Sequence, residues 1–414
     1  MIDIKKIIVF IIIFTLSKSI FAETLTVGIT IGPTAQNTFF PIYSEFESST
    51  GIKIRRYPMA DMKDLDDDNR WFDQHGKPID ILLGHASERL LKYYSSGKIS
   101  SLNELWNKHH WQDDFQHIIN NITFDNKILG LPYQMNGTHI FFKKSVLKKY
   151  GALPNTLTEL ESLCLALTKD NIIPFYISSK KPWTAMAWFE YIILRTHGLS
   201  FFNDLTAGKI SYTGDKVNTV LTHWQKLVKA NCYSEEFGEM HWNDTLPLFS
   251  RNKIAMMFGG NFIIPNIIDN KTYQDLATFN FPKIADIPRF ESIPVDLFIV
   301  NNMSEKKENI EKFLTFAAQS NIQGRIATSL KSIPANNKVP QPQEQIVNNI
   351  YQQMITAAGA SPFIDRALLP TFEKESRKHF LEFIREGNIE QFQNNLEFLR
   401  LKHYPLSTTK QTKQ

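Results

Sequence analysis

The sequence predicts an α/β protein built as two domains or lobes. Three observations carry that expectation. Residues 24–29 alternate and are rich in β-branched side chains, and after a helical stretch residues 52–57 return as a strand, a β–α–β opening that favours a parallel sheet. Residues 78–83 form a second short apolar run followed by a loop and a helical pattern. The chain has 414 residues, more than a single hydrophobic core usually organises.

The elements follow in order. Lys5 and Lys6 precede a ten-residue apolar run over 7–16 and a short exit ending at Ala22. This pattern predicts a secretory signal peptide over residues 1–22, because the run is too short for the roughly 20 residues a membrane span requires. Gly32 and Pro33 break the first strand, and a helix is expected over 37–49, where Phe39, Phe40, Ile42, Tyr43 and Phe46 recur at roughly helical spacing. The strand at 78–83 ends in Gly84-His85-Ala86-Ser87, with a helix expected over 88–95. Ligands bind at the carboxyl ends of strands in open α/β sheets, so the loops at 32–37 and 84–87 are candidate pocket walls. Residues 126–154 read as a short strand, a Gly-Leu-Pro turn, a second strand, a basic helix and a Gly-Ala-Leu-Pro stop. Helices are expected over 157–169, capped by Thr156 or Thr158, and over 183–196, 214–230 and 242–249. Strands are expected over 172–178, 253–258 and 295–300, with extended chain at 209–213 and 332–335. Helices at 309–319, 346–358, 367–385 and 388–403 complete the pattern, and residues 407–414 form a polar tail.

Charge and cysteine content narrow the function classes. A net charge of +4 with scattered Lys and Arg argues against a nucleic-acid partner. Asp66, Asp67 and Asp68 lack the alternate ligand spacing and Gly turn of a calcium loop, and His109, His110 and His117 lack zinc-site spacing, so no metal is expected. Cys164 and Cys232 either pair in an oxidising compartment or leave a buried thiol at Cys164; their spacing does not decide. The chain carries no Gly-x-Ser-x-Gly elbow, no His-Glu-x-x-His, no phosphate loop and no Gly-x-Gly-x-x-Gly, so no catalytic residue or cofactor is assigned. A carboxylate-pair glycosidase leaves no such motif, so a secreted glycan-active enzyme remains as a lesser alternative. The 31 Phe, 13 Tyr and 7 Trp supply aromatic faces of the kind that bind the C–H surfaces of sugars, although a Phe-rich core accounts for most such residues.

Five blocks then agree, in order, with one family. They are the strand-turn-helix of 25–51 closing on Gly51-Ile52-Lys53-Ile54, the run Ile79-Asp80-Ile81-Leu82 with the helix after it, and the 126–154 segment. The last two are Ile254-Ala255-Met256-Met257-Phe258-Gly259-Gly260-Asn261-Phe262 and Asp296-Leu297-Phe298-Ile299-Val300 followed by Ser332-Ile333-Pro334-Ala335. This conjunction resembles the extracellular sugar-binding proteins of ABC importers, the glucose- and maltose-binding group. The resemblance implies a two-lobed periplasmic-binding-protein fold with a hinge and an interlobe ligand cleft. It implies one lobe of 23–131 plus 286–332, a second of 132–285 plus 333–406, and a first crossing between lobes within 126–154. It implies a monomeric periplasmic protein, not an enzyme, that passes a mono- or oligosaccharide to an inner-membrane ABC permease. The same fold also serves other small solutes, or acts as a ligand-loaded partner of a membrane sensor kinase.

Carried over by position, the implied ligand contacts are Thr34 and Gln36 in the first loop, His85 and Ser87 after the 78–83 strand, and Asn136 past the first crossing. Lys181 and Trp183 open a helix where the family places an aromatic platform. Asn261 and Phe262 follow, with Phe where the family usually has Trp, then Asp296, Phe363 and Arg366. For Thr34, Gln36, His85 and Asn136, ordinary helix-start, loop and Asn-Gly turn roles remain open alternatives, as does capping or bracing of the hinge for Asp296.

Overall fold

The computed structural model describes residues 23–30, 33–59, 71–178, 180, 182–234 and 240–404. The signal segment, Asp66–Asp68, Lys181 and the 407–414 tail lie outside the described residues.

Two sheets organise the chain. The first has five strands in the order Lys53–Met59, Thr24–Thr30, Ile81–His85, Val295–Val300 and Leu131–Met135. The first three are parallel, and Val295–Val300 inserts antiparallel between Ile81–His85 and Leu131–Met135. The second has four strands in the order Leu276–Phe279, Thr138–Lys143, Ile254–Gly260 and Ile173–Phe175. Thr138–Lys143 runs antiparallel to both of its neighbours. Val295–Val300, Thr138–Lys143 and Ile254–Gly260 are buried along their whole length, as expected of strands covered on both faces.

Each sheet packs in its own apolar core. The first gathers Phe39, Phe46, Trp71, Tyr133, Phe298 and Phe313 with aliphatic neighbours. The second surrounds helix Trp183–Thr196, whose residues Thr184 to Arg195 are all buried. A helix apolar on every side belongs at the centre of a core, and Trp188 there lies against Phe175, Tyr233, Phe258 and Phe281.

Local chemistry explains most boundaries. Helix Leu157–Lys169 begins with a capping box, in which the Thr156 hydroxyl accepts from Glu159 N and the Glu159 carboxylate accepts from Thr156 N at 3.0 Å. Gly151, at φ +87, ends the basic stretch before it in a conformation that side chains disfavour. The first helix spans Pro33–Thr50 and so starts earlier than residue 37. Proline, lacking an N–H, suits a first helical turn, and Pro33 therefore opens this helix instead of separating it from the strand. Of the Gly-Leu-Pro expected to turn, only Gly130 bends, while Leu131 and Pro132 open a strand of the first sheet. The 209–213 stretch is irregular and ends in a turn at 212–213 instead of forming a strand, and the 242–249 helix divides into a 3-10 turn Trp242–Thr245 and a helix Leu246–Ser250.

The chain leaves the first sheet at Met135 and enters the second at Thr138, so Asn136-Gly137 is a crossing between sheets and not a hairpin turn. Asn136 N donates to Pro294 O at 3.0 Å, while Met135 and Ile333 exchange backbone hydrogen bonds of 2.8 and 3.0 Å. A Cβ on Gly137 would come within 2.8 Å of Ile350 and Met354, so glycine permits this close approach. Cys164 and Cys232 are joined in a disulfide with a Cα–Cα distance of 5.0 Å, which resolves the pairing that spacing left open.

Candidate functional site

At the crossing, sheet register gathers a polar cluster around one carboxylate. Asp296 pairs with His85 on one neighbouring strand and with Gln134 on the other, so the three side chains share a face. His85 Nδ1 lies 2.5 Å from Asp296 Oδ1, and Gln134 Nε2 donates to Oδ2 at 2.5 Å. Asn136 Nδ2 donates to Oδ2 at 3.5 Å, and Arg366 Nη1 stands 3.6 Å from Oδ1. Burial alone would raise the Asp296 pKa, but the charge and hydrogen bond of His85, the Arg366 guanidinium and the Gln134 amide together hold it below the usual carboxylate value. The same carboxylate adds to the effect of burial in pushing the Tyr133 phenol well above its ordinary value.

An aromatic row adjoins this cluster. Arg366 lies over the Phe363 ring at 4.9 Å. Phe363 stacks on Trp183 with centroids 6.3 Å apart and planes at 24°. Trp183 meets Phe262 edge-on at 5.8 Å, and Phe262 meets Trp242 at 5.3 Å. Trp183 opens the central helix directly after Pro182, and Phe262 lies in the 3-10 turn Asn261–Asn266 that follows strand Ile254–Gly260.

The segment bearing Phe363 and Arg366 is held from two sides. Glu190, buried one helical turn and more beyond Trp183, accepts from Ile364 N at 2.8 Å and from the Ser361 hydroxyl at 3.4 Å. Burial is the main reason its pKa is pushed up to about 8, so near neutral pH this carboxyl largely keeps its proton. From the other side Arg89 Nη2 donates to Asp365 O at 2.5 Å and stands 3.8 Å from Glu373.

The structure thus brings together His85, Asn136, Trp183, Phe262, Asp296, Phe363 and Arg366 from the expected set. Asn261 is fully buried and bound to backbone: its carbonyl accepts from Gly137 N at 2.7 Å and its amide donates to Lys331 O at 2.9 Å, which braces the crossing. Ser87 is buried beside His85, where its carbonyl accepts from Leu90 N at the start of the next helix. Thr34 and Gln36 lie in the first turns of helix Pro33–Thr50, with Thr34 O accepting from the Thr38 hydroxyl and Gln36 exposed. Gln134, Trp242 and Glu190 were not anticipated. Only Gln134 leaves a trace in sequence, two residues before Asn136 and near the end of strand Leu131–Met135.

Fixed hydrogen-bonding groups beside the partly accessible rings of Trp183, Phe262 and Trp242 are suited to reversible capture of a small polar molecule with apolar C–H faces. The chain matches the family model for bacterial extracellular solute-binding proteins over residues 42–351. The chain belongs to that family. A curated relative of this solute-binding protein, an uncharacterised ABC-transporter extracellular-binding protein of Pyrococcus horikoshii, is 20% identical over 270 residues. A multiple sugar-binding protein of Streptococcus mutans is 21% identical over 177 residues. These matches span 64% and 40% of this chain, and 60% and 41% of the relatives' own lengths.

Solved structures align far more completely. The bacterial solute receptor AcbH, described as having an exclusive preference for β-D-galactopyranose, superposes with a TM-score of 0.84 at 18% identity, covering 92% of this chain and 100% of its own. A chitin oligosaccharide binding protein gives 0.81 at 18% identity over 92% and 98%. The raffinose complex of RafE gives 0.75 at 14% identity over 92% and 99%. At such identities the likeness is one of fold, and this solute-binding protein has the two-lobed α/β fold of those receptors.

Proposed function

We propose that this protein is the periplasmic receptor of a carbohydrate ABC importer. It captures a mono- or oligosaccharide between two lobes and presents it to the membrane permease, acting as a monomer and without catalysis. The observation that carries the reading is the row Phe363–Trp183–Phe262 set beside the Asp296 cluster, stacking faces adjoining hydroxyl-binding groups. The names of the relatives support the substrate class, since several of them bind sugars. The proposed lobes comprise 23–131 plus 286–332 and 132–285 plus 333–406, with residues 1–22 removed on export. Closure is then a population shift in which a sugar bridging both lobes favours the closed form. Thermal-shift measurements across mono-, di- and oligosaccharides, uronates and polyols test this directly. At least one sugar should raise the melting temperature in a concentration-dependent way through linkage. Absence of any shift across the panel at millimolar concentration rejects the sugar assignment.

A further inference from the structure

A second cavity lies behind the crossing, away from the Asp296 cluster. Its volume is about 550 Å³, within the range of small-molecule sites. His139, two residues past Gly137, lines it together with Arg195, Arg289, Phe279, Phe281 and Gln353. His139 is 2% exposed; neither ring nitrogen makes a hydrogen bond of good geometry, the Gly137 backbone being its nearby polar contact. Burial pushes its pKa down to about 4, so the ring is neutral and offers one N–H and one lone pair. A buried imidazole with at most one weak polar contact carries a desolvation cost that a ligand or water would relieve.

The charges along the wall do not balance. Arg195 Nη2 and Arg289 Nη1 both donate to Glu291 Oε1 at 2.7 Å, so two guanidinium groups share one carboxylate. Lys283 at the rim is already paired with Asp286 at 2.7 Å. One positive charge is therefore left over. Arg289 is the accessible partner, with 27% of its side chain exposed against 5% for Arg195; its Nη2 already donates to Gln353 O at 2.8 Å and to Thr356 Oγ1 at 2.6 Å, which leaves Nε and one Nη1 hydrogen for a ligand. An oxyanion beside Arg289 would balance the pair, and the Phe279 and Phe281 rings favour a carboxylate carried on a small apolar body.

We propose that this cavity is a second ligand site, one that takes a small organic carboxylate between His139 and Arg289. The site is independent of the sugar assignment. Benzoate and succinate, titrated at constant ionic strength against benzamide and succinamide, probe it through the ring proton resonances of His139, identified by their loss in His139→Gln. A saturable shift is expected with at least one carboxylate and with neither amide. Arg289→Gln should weaken it about tenfold or more, while Trp183→Ala, which removes the proposed sugar platform, should leave it within about twofold. A shift equal for acids and amides, or unchanged in Arg289→Gln, overturns the proposal. So does a His139 resonance that no carboxylate perturbs, the outcome expected of a cavity that holds only water. Should Arg289→Gln fail to fold, the acid-against-amide comparison on the wild-type protein decides.

Discussion

Asp296 holds three hydrogen-bond partners and one ion pair with two oxygens. His85, Gln134, Asn136 and Arg366 all converge on it, so its removal strands several buried polar groups at once. Asp296→Ala should destabilise the fold by roughly 3–5 kcal/mol, the cost of breaking a buried charge pair on one side, and should abolish sugar binding. Denaturant unfolding and calorimetry would read the two effects separately, and a variant with wild-type stability would contradict the packing described. Trp183→Ala should weaken sugar affinity by about 1–3 kcal/mol, a buried aromatic contact. Unchanged affinity in isothermal titration removes Trp183 from the site. At this scale the family pattern marked Asp296 and Trp183, which the fold sets near one another through Phe363 and Arg366; their contact with a ligand is the proposal that these variants test. The sequence was silent on Trp242 and Glu190, whose parts depend on which segments the fold brings alongside them. Asn261 shows the converse: a polar residue at a marked position whose amide is taken up by the backbone of Gly137 and Lys331.

At the scale of elements, the helices with strong apolar patterns and clear caps read well. Leu157–Lys169 and Trp183–Thr196 have the bounds that their caps and patterns imply, and Val295–Val300 is the uninterrupted apolar run expected of an interior strand. Helices Gly198–Thr206 and Ser320–Leu330 were not distinguished, because Gly, Ser, Thr and Gln dilute the pattern in both. Strand Leu276–Phe279 also escaped notice, being four residues long and directly preceded by helix Asn270–Asp275. Pairing partners were beyond reach in principle, since Asp296 meets a residue 211 positions away. The disulfide ties helix Leu157–Lys169 to the segment after helix Asp215–Lys229 across a separation of 68 residues. Cys164→Ser, or reduction of the wild type, should cost about 2–4 kcal/mol by freeing that loop in the unfolded chain. An identical denaturation midpoint with and without reductant would disprove the contribution.

For the whole molecule, two buried groups of opposite character shape the dependence on pH. Glu190 has a folded pKa pushed up to about 8, mainly by burial, so the native state keeps a proton that the unfolded chain releases near the ordinary 4.5. Its contribution is full below about 4.5, declines as pH rises and is gone above about 8. His139 is pushed down to about 4 by burial, so the native state resists a proton that the unfolded chain takes up near 6.5. Its contribution is present above about 6.5 and is lost as pH falls towards 4. Between about 4.5 and 6.5 the two trends oppose each other, and above 6.5 only the Glu190 loss remains. The melting temperature of wild type relative to Glu190→Gln should therefore fall between pH 6.5 and 8. A difference that stays constant over that interval would place the Glu190 proton elsewhere. The α/β class and the division into two parts were legible from the opening β–α–β unit and from length. The return of residues 295–300 to the amino-terminal part was implied only by the family resemblance; its place between Ile81–His85 and Leu131–Met135 was not legible, because it follows from long-range register.

That return sets a timetable for the chain as it emerges. Val295–Val300 is an interior strand of the first sheet, flanked by Ile81–His85 and Leu131–Met135, both of which are made long before it. Until it arrives those neighbours lack their partner, and Phe298 is missing from among Phe39, Tyr133 and Phe313. The amino-terminal part of the polypeptide should therefore stay open for most of synthesis, because contacts that span so many residues form late. A polypeptide stopped before residue 295 should be digested rapidly by protease, and resistance in that fragment would refute this order.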